Sequence, residues 1–140
     1  MLTGEFRHSI DAKNRMFVPA KLREELGESF VIACDIRETC LKAYSLEGWE
    51  DYIEPIRKLP REVAEKALRF LHRTAAQVSP DSQGRVLLNS ALVAHAQIEK
   101  NAVVVGCGDY AEIWAEANYE AQVTSEDVEQ LRNLLEGYGL

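Results

Sequence analysis

The apolar and polar positions of the chain group into short segments whose order recurs. Glu5 to Ile10 and Arg15 to Val18 read as two short strands flanking a polar segment, with Asp11 at its start and Asn14, a residue that tolerates positive φ, near its end. Pro19 suits the first turn of a helix whose Leu22 and Leu26, spaced i, i+4, share one face, and Gly27 suits its stop. Phe30 to Cys34 and Cys40 to Tyr44 follow as two β-rich runs joined by a polar turn. The unit reads strand, strand, short helix, strand, strand.

A second copy of this unit lies 70 residues on. Asp11-Ala-Lys-Asn-Arg15-Met-Phe-Val-Pro matches Asp81-Ser-Gln-Gly-Arg85-Val-Leu-Leu-Asn, and the same offset aligns Leu22 with Leu92, Tyr44 with Trp114 and Trp49 with Tyr119. The apolar run Ala102 to Gly106 matches Phe30 to Cys34 at an offset of 72, so the second copy carries two extra residues in one loop and loses them in the next. Gly84 takes the place of Asn14, and Asn89-Ser90, good N-cap residues, take the place of Pro19. About forty residues of this kind form too thin a layer to close a core alone, so the two copies are expected to fold into one body.

Two segments fall outside the repeat. Leu46 to Leu59 reads as a helix interrupted or kinked at Pro55, and Pro60 opens a second helix with Val63, Ala67, Leu68 and Leu71 on one face. This bridging region carries Arg57, Lys58, Arg61, Lys66, Arg69, His72 and Arg73; it either faces solvent or packs on an acidic surface of a neighbouring subunit. Ser125 to Leu135 reads as a loosely attached final helix with Ser125 as cap and Val128, Leu131 and Leu135 as a narrow stripe. The organisation expected is 5–47 first half, 48–75 bridging helices, 76–119 second half and 120–140 acidic helix or tail.

Composition narrows the function. With 140 residues, 46% of them apolar, the chain buries one sizeable core. It has no apolar stretch long enough for a membrane span and none of signal-peptide length at its start, so a cytoplasmic location without a membrane partner is expected. Cys34, Cys40 and Cys107 form no C-x-x-C pair and fit reduced, mostly buried thiols rather than a disulfide framework or zinc site. The net charge of −7 argues against a generic coat for nucleic acid. That charge is local, however: residues 109 to 140 hold eight acids and one base, while the first 108 residues balance 15 against 15. His8, His72 and His95 lack metal-ligand partners at i+3 or i+4, Gly106-x-Gly108 lacks the rest of a dinucleotide loop, and nothing resembles a nucleophile elbow. No enzyme activity, cofactor, metal or small-molecule substrate is expected.

The duplicated D-x-x-x-R, the Phe30-Val-Ile and Val103-Val-Val strands and the aromatics that follow them resemble the MraZ family from Gly4 to about Tyr119. The resemblance implies an α+β, mainly β body, in which two tandem AbrB-like halves of the SpoVT-AbrB type interlock as a pseudo-two-fold swapped-hairpin barrel. It further implies a nucleoid-associated regulator that, as a ring-like homo-oligomer, binds direct repeats in the promoter of the division and cell-wall gene cluster and represses it. Within that likeness the loop arginines, Arg15 and Arg85, carry DNA contact; Asn14 departs from the family's usual first-loop glycine. An AbrB-type antitoxin-like module that binds a partner protein is the alternative.

The residues support that reading on their own chemistry. Arginine offers five donors in a planar fork that matches a phosphate or the O6/N7 edge of guanine. Lys13 and Asn14 beside Arg15 make the first loop the more cationic, and Gln83 accompanies Arg85 in the second. Asp11 and Asp81 are expected to close their own hairpin ends by a salt bridge or Asx-turn, with Gly84 supplying the turn. Arg7, His8, Lys21 and Arg23 are further phosphate candidates, and Tyr44, Trp49, Trp114 and Tyr119 are read as packing aromatics.

Overall fold

A computed structural model describes residues 1–124 and 127–140. The first repeat comprises β1 (Glu5–Ser9), β2 (Arg15–Phe17), α1 (Ala20–Leu26), β3 (Phe30–Cys34) and β4 (Leu41–Ser45). Then come α2 (Leu46–Arg57) and α3 (Arg61–Thr74), and the second repeat follows as β5 (Ala76–Val78), β6 (Arg85–Leu87), α4 (Ser90–Ala96), β7 (Asn101–Gly106) and β8 (Ala111–Ala115). Helices α5 (Glu116–Thr124) and α6 (Val128–Glu136) complete an α+β chain whose strands pair antiparallel.

Pairing ties the repeats together. The six-stranded sheet has the order β1-β7-β8-β4-β3-β5, so the first strand of each repeat lies against a strand of the other: β1 runs along β7 from Glu5↔Val105 to Ser9↔Asn101, and β5 along β3 from Phe30↔Val78 to Ile32↔Ala76. The repeats also meet at β4 and β8, and β2 pairs with β6 as a separate ribbon centred on Met16↔Val86. Neither repeat satisfies its edge strands alone.

The core explains why Phe30 to Cys34 is continuously apolar. Phe30, Ile32 and Cys34 face a main core with Met16, Leu22, Val86 and Leu92, while Val31 and Ala33 face a second cluster under Trp49, Ile53 and Leu71. A strand covered on both faces loses the polar alternation of a half-exposed one. Each large side chain buried here contributes about 1.5–3 kcal/mol by leaving water. Asn89 caps α4, its side chain accepting from Leu92 N at 2.8 Å, and Ser45 caps α2 by accepting from Gly48 N at 2.9 Å.

Several local expectations are corrected. Helix α2 is not interrupted at Pro55 but runs through it to Arg57, with the Asp51 carbonyl left without its i+4 donor one turn before the helix ends. On α3 the buried residues are Ala64, Leu71 and Thr74, whereas Val63 is exposed. At about 100° per residue Val63 lies roughly 80° around the helix from Leu71, at the margin of the covered face. Ser125 lies outside the described residues; α6 is capped by Asp127, whose carboxylate accepts from Glu129 N. Cys34 and Cys40 are buried free thiols, but Cys107 is exposed.

Candidate nucleic-acid interface

The two D-x-x-x-R loops fold to the same hydrogen-bond pattern. Asp11 Oδ1 accepts from the backbone N–H groups of Lys13 and Arg15, both at 2.9 Å, and Oδ2 accepts from Arg15 Nε at 2.7 Å. Asp81 does the same for Gln83 N and Arg85 N, both at 2.9 Å, and for Arg85 Nε at 3.1 Å. These bonds hold both carboxyls below their ordinary range, chiefly through the arginine backbone N–H, partial burial opposing. Each aspartate thus fixes the turn and grips its arginine by Nε, so the outer edge of the Arg15 guanidinium has no protein partner among the described residues.

The turn residue is left-handed in both loops: Asn14 has φ +60° and Gly84 φ +79°. Why one is glycine follows from the ribbon. A Cβ at Gly84 would stand 2.9 Å from Phe17 Cε2 and 3.1 Å from Arg23 Cζ, both from the first repeat. The positions equivalent to Phe17 and Arg23 in the second repeat are Leu87 and Val93, without ring or guanidinium. Asparagine is among the few side-chain-bearing residues that visit this conformation routinely.

The β2/β6 ribbon sets the two loops side by side. Val18 N donates to Gly84 O and Leu88 N to Asn14 O, each at 2.9 Å, so each left-handed residue is bonded to the other repeat. Phe17 pairs with Arg85 and Arg15 with Leu87, and Arg85 Nη1 reaches Asp11 Oδ2 at 3.8 Å. Lys13 and Gln83 are exposed, and Asn14, Arg15 and Arg85 are half-buried.

Not every candidate cation is free to join them. Arg7 is engaged by Glu120 at 2.6 Å and by Glu5 and Glu116 at 3.6 Å, with its guanidinium 5.9 Å from the Tyr119 ring centroid. The Tyr119 hydroxyl donates to Glu5, so this cluster fastens α5 to β1. Arg23 belongs to the loop surface: its Nε donates to Val18 O at 2.8 Å, and its guanidinium lies over Phe17 and beside Gly84. Sequence spacing ranks Arg23 no higher than Lys21; only pairing between repeats singles it out.

Chemically, the surface presents arginine edges held in place by carboxylates, flanked by a lysine, two side-chain amides and two backbone turns. That suits recognition of planar or tetrahedral acceptors such as guanine edges and phosphates. Among the described residues no group of three His, Cys, Asp or Glu is placed to hold a metal, and no helix is long and apolar enough to cross a membrane.

Comparison with known proteins agrees with the duplication. The family model for MraZ protein, whose description likens it to antitoxins, matches twice, over residues 1–73 and 70–135. A protein named transcriptional regulator MraZ from Caldanaerobacter subterraneus subsp. tengcongensis is 38% identical over the full length of both chains. One of the same name from Ligilactobacillus salivarius is 42% identical over 86% of this chain and 85% of its own, and one from a Thermoanaerobacter species is 39% identical over 91% and 90%.

Proposed function

The chain belongs to the MraZ family, and from that membership we propose that it is a sequence-specific, DNA-binding transcriptional regulator that reads duplex DNA with Arg15 and Arg85. One observation carries the reading: two identically built loops, each holding its arginine by Nε, stand on one ribbon with Asp11 within 3.8 Å of both guanidinium groups. Lys13, Asn14 and Gln83 flank the arginines as contacts, and Arg23 adds a cation beside Gly84. Asp11, Asp81 and Gly84 build the loops rather than touch DNA.

The body is a pseudo-two-fold swapped-hairpin barrel of two AbrB-like halves, 5–47 and 76–119, a reading supported by the crossing of β1 and β5 between repeats. The protein works as a ring-like homo-oligomer at the nucleoid in the cytoplasm and represses the division and cell-wall gene cluster through direct repeats in its promoter. Oligomerisation supplies by multivalency the affinity that a chain of net charge −7 cannot draw from bulk electrostatics. Self-association is supported by α6, where Val128, Leu131, Leu134 and Leu135 are all exposed.

The test is selection of bound fragments from sheared genomic DNA with purified protein. Enrichment of fragments carrying spaced direct repeats is expected; recovery no better than for random duplex overturns the reading. The antitoxin-like alternative is favoured by the family description and by the same exposed face of α6. Light scattering separates the two, since a regulator of this kind reaches its oligomeric mass alone, whereas an antitoxin-like module does so with a stoichiometric partner.

A further inference from the structure

A cavity of about 590 Å³ opens at the seam between repeats, where β4 pairs with β8, and no residue of the D-x-x-x-R loops lines it. Its volume falls within the usual range for small-molecule sites. Tyr44 and Tyr52 stack in its wall with ring centroids 5.1 Å apart and planes 15° from parallel, and Tyr110 of the second repeat lies 5.9 Å from Tyr44. Lys42 Nζ stands 4.4 Å from the Tyr110 ring centroid, so this wall already holds one ammonium against an aromatic face. The charge of Lys42 is answered by Asp35 Oδ1 at 3.3 Å.

Two features are left unanswered by the protein. Tyr44 is only 5% exposed, yet among the described residues no group hydrogen-bonds its hydroxyl, and no buried side-chain polar atom is sealed off without a partner; that hydroxyl therefore meets the cavity. At the rim, Glu47, Asp51 and Asp109 are exposed and make no ion pair among the described residues. Their three charges outweigh the roughly half positive charge of the α2 N-terminus nearby. Burial raises the pKa of Tyr44 and Tyr52, which keeps both phenols neutral.

The second repeat serves as an internal control. At the offset of 70 it keeps aromatics where Tyr44 and Trp49 pack, as Trp114 and Tyr119, but has Ala117, Ala121 and Gln122 in place of Glu47, Asp51 and Tyr52. The duplicated fold thus keeps its packing aromatics without counterparts of Glu47, Asp51 and Tyr52, and has Glu112 in place of Lys42.

We propose that this cavity binds a small organic cation, an ammonium or guanidinium on an apolar stem, whose charge lies against the Tyr52 ring, the Tyr110 ring being already held by Lys42. Its N–H groups donate to the Tyr44 hydroxyl and to the carboxylates of Glu47, Asp51 and Asp109. The cation is either a free polyamine or an arginine side chain of a second copy of this chain. Because the walls come from both repeats, occupancy also clamps the seam and raises the melting temperature.

The test is calorimetric titration of the full-length, DNA-free protein with spermidine, with the oligomeric mass followed by light scattering. A free cation gives saturable binding with a rise in Tm, weakened at least tenfold in E47Q/D51N and in Tyr52→Gln but unchanged in the tail variant E129Q/E136Q. An arginine from a second copy instead gives a fall in oligomeric mass in E47Q/D51N and dissociation of the wild-type oligomer by spermidine. Binding that fails to saturate, or that depends equally on the tail carboxylates, with the mass unchanged in E47Q/D51N, overturns the proposal.

Discussion

Arg85, in the second repeat, lies 3.8 Å from Asp11, in the first, although its own loop already supplies Asp81 at 3.1 Å. The reciprocal pair is missing: no ion pair joins Arg15 to Asp81 among the described residues. Asp11 is thus shared between both arginines and Asp81 serves one, so the duplicated surface is built as a unit with unequal halves. Several outcomes separate this arrangement from two independent hairpins.

Asp11→Asn keeps an oxygen to accept the two backbone N–H groups but removes the charge that holds both arginines. Affinity for random duplex is expected to rise, because one carboxylate leaves the surface, while discrimination against random duplex falls. Asp81→Asn is expected to do the same more weakly. Competition binding with specific and random duplexes measures both; equal loss of discrimination in the two variants contradicts the sharing.

Gly84→Ala combines a left-handed backbone with a Cβ 2.9 Å from Phe17. A destabilisation of at least about 1–2 kcal/mol in denaturant unfolding is expected from the backbone alone. Asn14→Gly, at the equivalent place, is expected to lie within about 0.5 kcal/mol of wild type. Similar values for the two would mean that the contact between repeats at Gly84 is not as described.

Met16 is fully buried at the centre of the β2/β6 ribbon, beneath both loops. Met16→Ala is expected to cost about 2–5 kcal/mol. It should also weaken specific DNA binding although it touches no DNA. Unchanged specific binding by the folded variant would uncouple the ribbon from the loops.

The pH dependence follows from the lowered carboxyls of Asp11 and Asp81. A carboxyl lowered by folding stabilises the folded state at pH above its ordinary value of 3.8, and that contribution fades as pH falls through and below it. The difference in unfolding midpoint between wild type and D11N/D81N should therefore be constant near neutrality and shrink in acid. A difference that stays level down to pH 2 contradicts the loop geometry.

Much of this body was legible in the chain because the signals are local. Pro19, Asn89 and Gly27 mark helix ends by their own backbone preferences, and an offset of 70 recovers the second element order from the first. Partner choice is not local: nothing in Glu5 to Ser9 specifies β7 over β2, and that choice fixes which carboxylates reach Arg7 and which loop Arg23 adjoins. The same limit applies to Val63, where a pattern at the margin of a helix face cannot say how far the neighbouring helix covers it. The Asp11 to Arg15 loop was readable through its repetition as Asp81 to Arg85; the sharing of Asp11 with Arg85 required the fold.

The most direct measurement is a gel-shift titration of Arg15→Ala, Arg85→Ala and the double variant on a genome-selected repeat duplex and on random duplex, with light scattering on each protein. Each single variant is expected to lose about 1–3 kcal/mol of discrimination, roughly 5- to 150-fold. The double variant should bind both duplexes alike, and all three should keep the wild-type oligomeric mass. Wild-type discrimination retained in the double variant would contradict the assignment of these arginines as the DNA readers.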